Sequence, residues 1–65
     1  MQSYTNSQMR HLIEEYIHSE RDRLLLIRRL IDGLSFSELE REFFLSNKQC
    51  KRIVYKLQEE LFRHL

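Results

Sequence analysis

The chain has 65 residues with one cysteine, one glycine and no proline, and its formal net charge is +1. A chain this short forms one domain at most and buries only about 60% of its unfolded surface. A lone cysteine rules out an internal disulfide, and the longest strictly apolar run, Leu24-Leu25-Leu26-Ile27, is far shorter than the ~20 residues of a membrane-spanning helix.

The scarcity of proline and glycine, with no strand-like alternation, predicts an all-α protein. Four helices follow in chain order. The first opens after the polar stretch "SYTNS" and covers about residues 6 to 17. Met9, Leu12, Ile13, Tyr16 and Ile17 recur there at the spacings of one helical face. The second starts at "SERD", with Ser19 as N-cap and Asp22 three residues on. It is expected to run to about Asp32 and to stop at Gly33, a C′ residue for which positive φ is cheap. A regular helical period puts Leu24, Ile27, Leu30 and Ile31 on its core arc, widened by Leu26. The same period leaves Leu25 exposed beside Arg21, Arg28, Arg29 and Asp32.

The third helix carries a full capping box in "LSFSE". Ser35 is the N-cap, Glu38 is at N3, and Leu34 and Leu39 form a hydrophobic staple around them. It is short, about 36 to 43. After a turn at 44–46, "SNKQ" repeats the device with Ser46 and Gln49, opening a last helix of about residues 47 to 64. Cys50, Ile53, Val54, Leu57, Leu61 and Leu65 line one of its faces. The fold class is therefore an all-α, four-helix small domain.

Charge is segregated along these segments. Glu38, Glu40 and Glu42 stand against Arg41 in the third helix. Between Ser46 and Gln58 the chain carries Lys48, Lys51, Arg52 and Lys56 and no acid. At about 100° per residue, Lys48, Arg52 and Tyr55 fall opposite the apolar face of the last helix, with Lys51 and Lys56 flanking them. A short helix, a turn and a second helix with an outward basic stripe form the helix-turn-helix arrangement, whose second helix reads the major groove. Arg52 suits bidentate pairing with guanine, and Asn47 or Gln49 with adenine, each good pair giving ~1–3 kcal/mol of discrimination. Lys51 and Lys56 suit phosphates, which give affinity and salt dependence without reading sequence. Gln49 is also claimed by its capping box. Tyr55 either stacks in the groove or covers the lysine stems. The stripe also fits a merely solvated face.

The stretch "RRLIDGLSFSELEREFFLSNKQCKRIVYKLQEELF" resembles region four of bacterial sigma factors. It is similar in particular to the small, free-standing region-four-like proteins of phages and prophages. The resemblance covers roughly residues 20 to 65. It implies a trihelical helix-turn-helix core with one preceding N-terminal helix, double-stranded DNA as partner, and a role in transcription regulation. It places Asn47, Lys48, Lys51 and Arg52 at base- and phosphate-contacting positions, and Ser35 and Ser37 near the DNA backbone; independently of it, the backbone amides at each helix start, after Ser46 as after Ser35, can hold a phosphate. Two positions depart from the family pattern. Glu40 stands where a small residue is usual, and Phe44 where the turn usually has glycine. A bulky side chain at positive φ is strained, so either Phe44 bears that strain or the turn opens into a negative-φ conformation, and the second is expected.

The rival reading is a protein-interaction module of the same fold that binds RNA polymerase or another host protein. Low net charge, Glu40, the Phe43-Phe44 pair and the expected exposure of Leu25 favour it. A homodimer through Leu57, Leu61, Phe62 and Leu65 is compatible with both readings. No nucleophile motif or phosphate-binding glycine loop is present, so no enzymatic activity, cofactor or metal is expected. His11 and His18 share a surface with Glu14 and Glu15 but have no cysteine partners, a weak set for zinc. Cys50 is expected to be plain core. The chain opens at Met1 without a signal-peptide pattern, which fits a complete small protein of the reducing cytoplasm.

Overall fold

The computed structural model describes residues 4–64, and over them the chain is an all-α, four-helix domain. Helix α1 spans Asn6–Tyr16, α2 Glu20–Leu26, α3 Phe36–Phe43 and α4 Asn47–Phe62. Helix α2 passes directly into a π-helical segment, Ile27–Ile31. Ser19, Ser35 and Ser46 each cap the helix they precede, and Ser35 and Ser46 complete capping boxes with Glu38 and Gln49. Thr5 and Gln8 form a third box at the start of α1, a signal present in "TNSQ" that the sequence reading passes over. The far end of α1 is closed from outside. The Arg23 side chain, on α2, donates to the carbonyls of Ile17 and Glu14, which have no partners of their own at a helix C-terminus.

The core gathers Ile13, Ile17, Leu25, Leu26, Ile27, Leu39, Cys50, Val54, Leu57 and Leu61. Every helix contributes, and the predicted apolar faces of α1 and α4 meet there. Leu65 lies outside the described residues. The second helix differs from expectation. Leu25 is fully buried and Leu24 is half-exposed, the reverse of the assignment made from a regular period. The π segment explains this. The Asp32 amide donates to Ile27 five residues back, so residues five apart share a face. Leu25 then aligns with Leu30 and Leu26 with Ile31, a face that a 3.6-residue period splits. The exit from this segment is shifted likewise. Gly33 has φ 75°, and the Leu34 amide reaches back to the Arg28 carbonyl at 3.0 Å, one residue farther than in the usual Schellman closure.

The turn after α3 also overturns an expectation. Phe44 does not open the turn to negative φ; it sits in the left-handed region at φ 57°, ψ 38°. Its side chain is 92% exposed, while its neighbours Phe43 and Leu45 pack against the core. The magnitudes account for the choice. The left-handed conformation costs about 1–2 kcal/mol, whereas fully burying one large apolar side chain is worth about 1.5–3 kcal/mol. A tight turn that seats both Phe43 and Leu45 outweighs the strain at Phe44. Glu40, the other departure from the family pattern, is exposed.

Candidate nucleic-acid interface

Helix α4 presents two opposed faces. Cys50, Val54, Leu57 and Leu61 hold it against the core, and α3 and α2 pack along it. Lys48, Lys51, Arg52, Tyr55 and Lys56 are exposed on its outer side. The described residues contain ion pairs between His11 and Glu15, Arg21 and Asp22, Arg28 and both Asp32 and Glu42, and Arg63 and Glu59. None involves the cations of α4. Those four charges are therefore presented to solvent without an internal carboxylate to neutralise them.

The start of α4 is held rigidly. The Ser46 hydroxyl accepts from the Gln49 amide at 3.1 Å, and Gln49 Oε1 accepts from the Ser46 amide at 3.0 Å. The acceptor oxygen of Gln49 is thus committed to the cap, leaving Asn47, which is half-buried, as the first-turn amide not spent in a capping box. Ser35 is engaged in the same way with Glu38, at 3.2 and 3.0 Å. Those bonds hold the Glu38 carboxyl below its usual range, the Ser35 backbone amide contributing most and its hydroxyl next. Ser37 is exposed on the first turn of α3.

Helices α3 and α4 meet through a residue the sequence reading did not single out. Phe36, at the first position of α3, makes an edge contact with Tyr55 at 5.8 Å between ring centroids. The Lys51 ammonium lies 5.8 Å from the same ring centre, and the Arg29 guanidinium 4.2 Å from it. Tyr55 is therefore tied to α3 by its ring edge and is still more than half exposed. Nothing in local spacing announces this cluster, because its members come from the π segment, α3 and α4.

Other candidate chemistry is sparse. Cys50 is fully buried, and burial first, then the charge of Glu40, pushes its thiol up. This is the environment of an inert core cysteine. His11 pairs with Glu15 at 3.5 Å, and among the described residues no group of three or more metal-ligating side chains comes together. Of the residues considered for a dimer contact, Leu57 and Leu61 are used in the chain's own core, while Phe62 is half-exposed. No helix among the described residues is long and apolar enough to cross a membrane. No family model, curated protein or solved structure matches the chain.

Proposed function

We propose that this protein is a sequence-specific double-stranded DNA-binding regulator of transcription, a helix-turn-helix protein of the phage or prophage type that resembles sigma region four. It is read as a non-enzymatic, cofactor-free protein of the cytoplasm. The observation that carries this reading is the unpaired basic face of α4, directly opposite its core face. Helix α4 is the recognition helix, α3 the supporting helix, and residues 44–46 the turn. Asn47, Lys48 and Arg52 meet base edges, while Lys51 and Lys56 meet phosphates. Ser35, Ser37 and Ser46 lie by the backbone through their helix-start amides. The test is a mobility shift at low salt with duplexes from the protein's own gene neighbourhood. Binding is expected to weaken steeply as salt rises, in proportion to the phosphates neutralised. Absence of any shift at low salt would contradict the reading.

A second reading is supported by a different surface. An open groove is lined by Leu24, Ile27 and Phe43 and rimmed by charges of both signs, Glu14, Glu20 and Glu42 with Arg21 and Arg23. Phe44 stands free in the turn that follows Phe43. These features suit a protein-interaction module that engages RNA polymerase or another host protein. Capture from nuclease-treated lysate separates the two readings: a partner retained without nucleic acid, together with no DNA affinity, would favour the second.

A further inference from the structure

We propose that a second copy of this chain docks in the groove lined by Phe43, with Phe44 of each copy seated in the groove of the other. This inference goes beyond the DNA-binding reading and does not depend on it. It also gives the groove a different occupant from a host protein.

Three observations carry it. First, one patch holds both a hollow and a projecting ring. The groove, lined by Leu24, Ile27 and Phe43, has a volume of about 770 Å³, within the range of about 300–1,000 Å³ for concave sites that take small molecules. Leu24 is 49% exposed there, and Phe44, the residue after Phe43, is 92% exposed. Consecutive Cα atoms are about 3.8 Å apart, so ring and hollow belong to one surface. A two-fold dimer sets the same patch against itself, and a patch with both features fills its own hollow.

Second, the rim carries both signs of charge. Arg23 is spent on the carbonyls of Ile17 and Glu14, and Glu42 on Arg28 at 2.9 Å. Glu14 and Glu20 have no ion pair among the described residues. Arg21, on the same rim, pairs with its chain neighbour Asp22 and stays exposed. A cationic segment of another protein would match the two acids and meet Arg21 as a like charge. A second copy brings an Arg21 for these acids and acids for this Arg21.

Third, the strain at Phe44 has no return within one chain. The turn takes positive φ at this position, and glycine or asparagine meets that need at less cost. The ring is surplus to the turn, and the second copy is what buries it. Eight residues line the groove, against roughly 20–30 a side in a standard interface. The dimer is therefore a weak one that parts on dilution and returns the rings to solvent. The residues that helical spacing offers for a dimer do not compete, because Leu57 and Leu61 are buried in the chain's own core.

The test is sedimentation equilibrium without DNA, from micromolar to near-millimolar protein. The variants are Phe44→Asn, which keeps a residue that tolerates the left-handed turn, Leu24→Gln in the groove wall, and Phe62→Gln as a control on another surface. Each is checked for folding by circular dichroism. The native protein should pass from monomer to dimer and stop there. Phe44→Asn removes two rings per dimer, each worth roughly ten-fold or more, and should weaken association roughly a hundred-fold. Leu24→Gln should weaken it as well, and Phe62→Gln should leave it unchanged. A native protein that stays monomeric throughout overturns the proposal and leaves the DNA-binding reading untouched. A dimer that Phe44→Asn does not weaken, or species that keep growing beyond a dimer, also overturns it. If Phe44→Asn does not fold, Leu24→Gln decides, and unchanged association overturns the proposal.

Discussion

Phe44 shows how the global fold can impose a conformation that its residue disfavours. The position needs φ 57° so that Phe43 and Leu45 can turn inward, and a phenylalanine supplies it at a cost. The exposed ring returns no burial energy for that strain. Phe44→Gly relieves about 1–2 kcal/mol of left-handed strain but returns roughly 0.5–1 kcal/mol through greater freedom of the unfolded chain. In dilute solution the expected net gain lies between about 0 and 1.5 kcal/mol, a rise of up to roughly 10 °C in Tm. A fall in Tm by thermal melting would mean that the ring makes a stabilising contact. Glu38 gives a pH-dependent counterpart. Its carboxyl is held down by Ser35, so the folded state prefers the ionised form. That contribution is fully present above the unfolded value of about 4.3 and is lost as pH falls through the lower folded value. Glu38→Gln keeps an acceptor at N3, and its stability should therefore fall less between pH 5 and pH 3. Parallel acid denaturation curves for the two proteins would contradict this. Cys50 runs the other way, since its raised thiol pKa contributes stability below the unfolded value of about 8.5 that is lost as pH rises above it.

At the scale of elements, the caps were legible and the second helix was not. Ser19, Ser35 and Ser46 announce helix starts because a hydroxyl reaches only the amides two or three residues on, a relation local in sequence. The π segment cannot be read that way. It is set by what the whole core needs from Leu25, Leu26, Leu30 and Ile31, and a 3.6-residue template assigns Leu24 and Leu25 to the wrong sides. Truncation measures the register directly. Leu25→Ala should cost about 2–5 kcal/mol, as for other core leucines, while Leu24→Ala should cost under about 1 kcal/mol. Urea denaturation of the two variants decides. The opposite order would restore a regular helix. The Arg29–Phe36–Lys51–Tyr55 cluster was illegible for the same reason, since its contacts cross three elements and follow no period. Helix α4 was legible throughout the described residues, because capping box, core face and basic stripe all repeat within a single segment.

At the scale of the molecule, a small core organises one charged surface. Ten buried apolar side chains, no buried charged group among the described residues, and helix starts closed by capping side chains hold the fold together. The net charge of +1 looks unsuited to a polyanion until its layout is considered. Glu38, Glu40 and Glu42 lie on α3, whereas Lys48, Lys51, Arg52 and Lys56 stand without an ion pair on the outer side of α4. On the proposed reading, DNA binding depends on that local field, which acts over a Debye length of about 8–10 Å at moderate salt.

The central claim, that the outer face of α4 reads duplex DNA, is tested most directly by selecting bound sequences from random duplex DNA with the native protein and with Arg52→Ala and Lys56→Ala. The native protein should enrich a discrete motif. Arg52→Ala should lose preference at one position, by about 1–3 kcal/mol of discrimination. Lys56→Ala should keep the motif and weaken binding to all sequences alike. A pool that emerges unenriched at low salt would contradict the account.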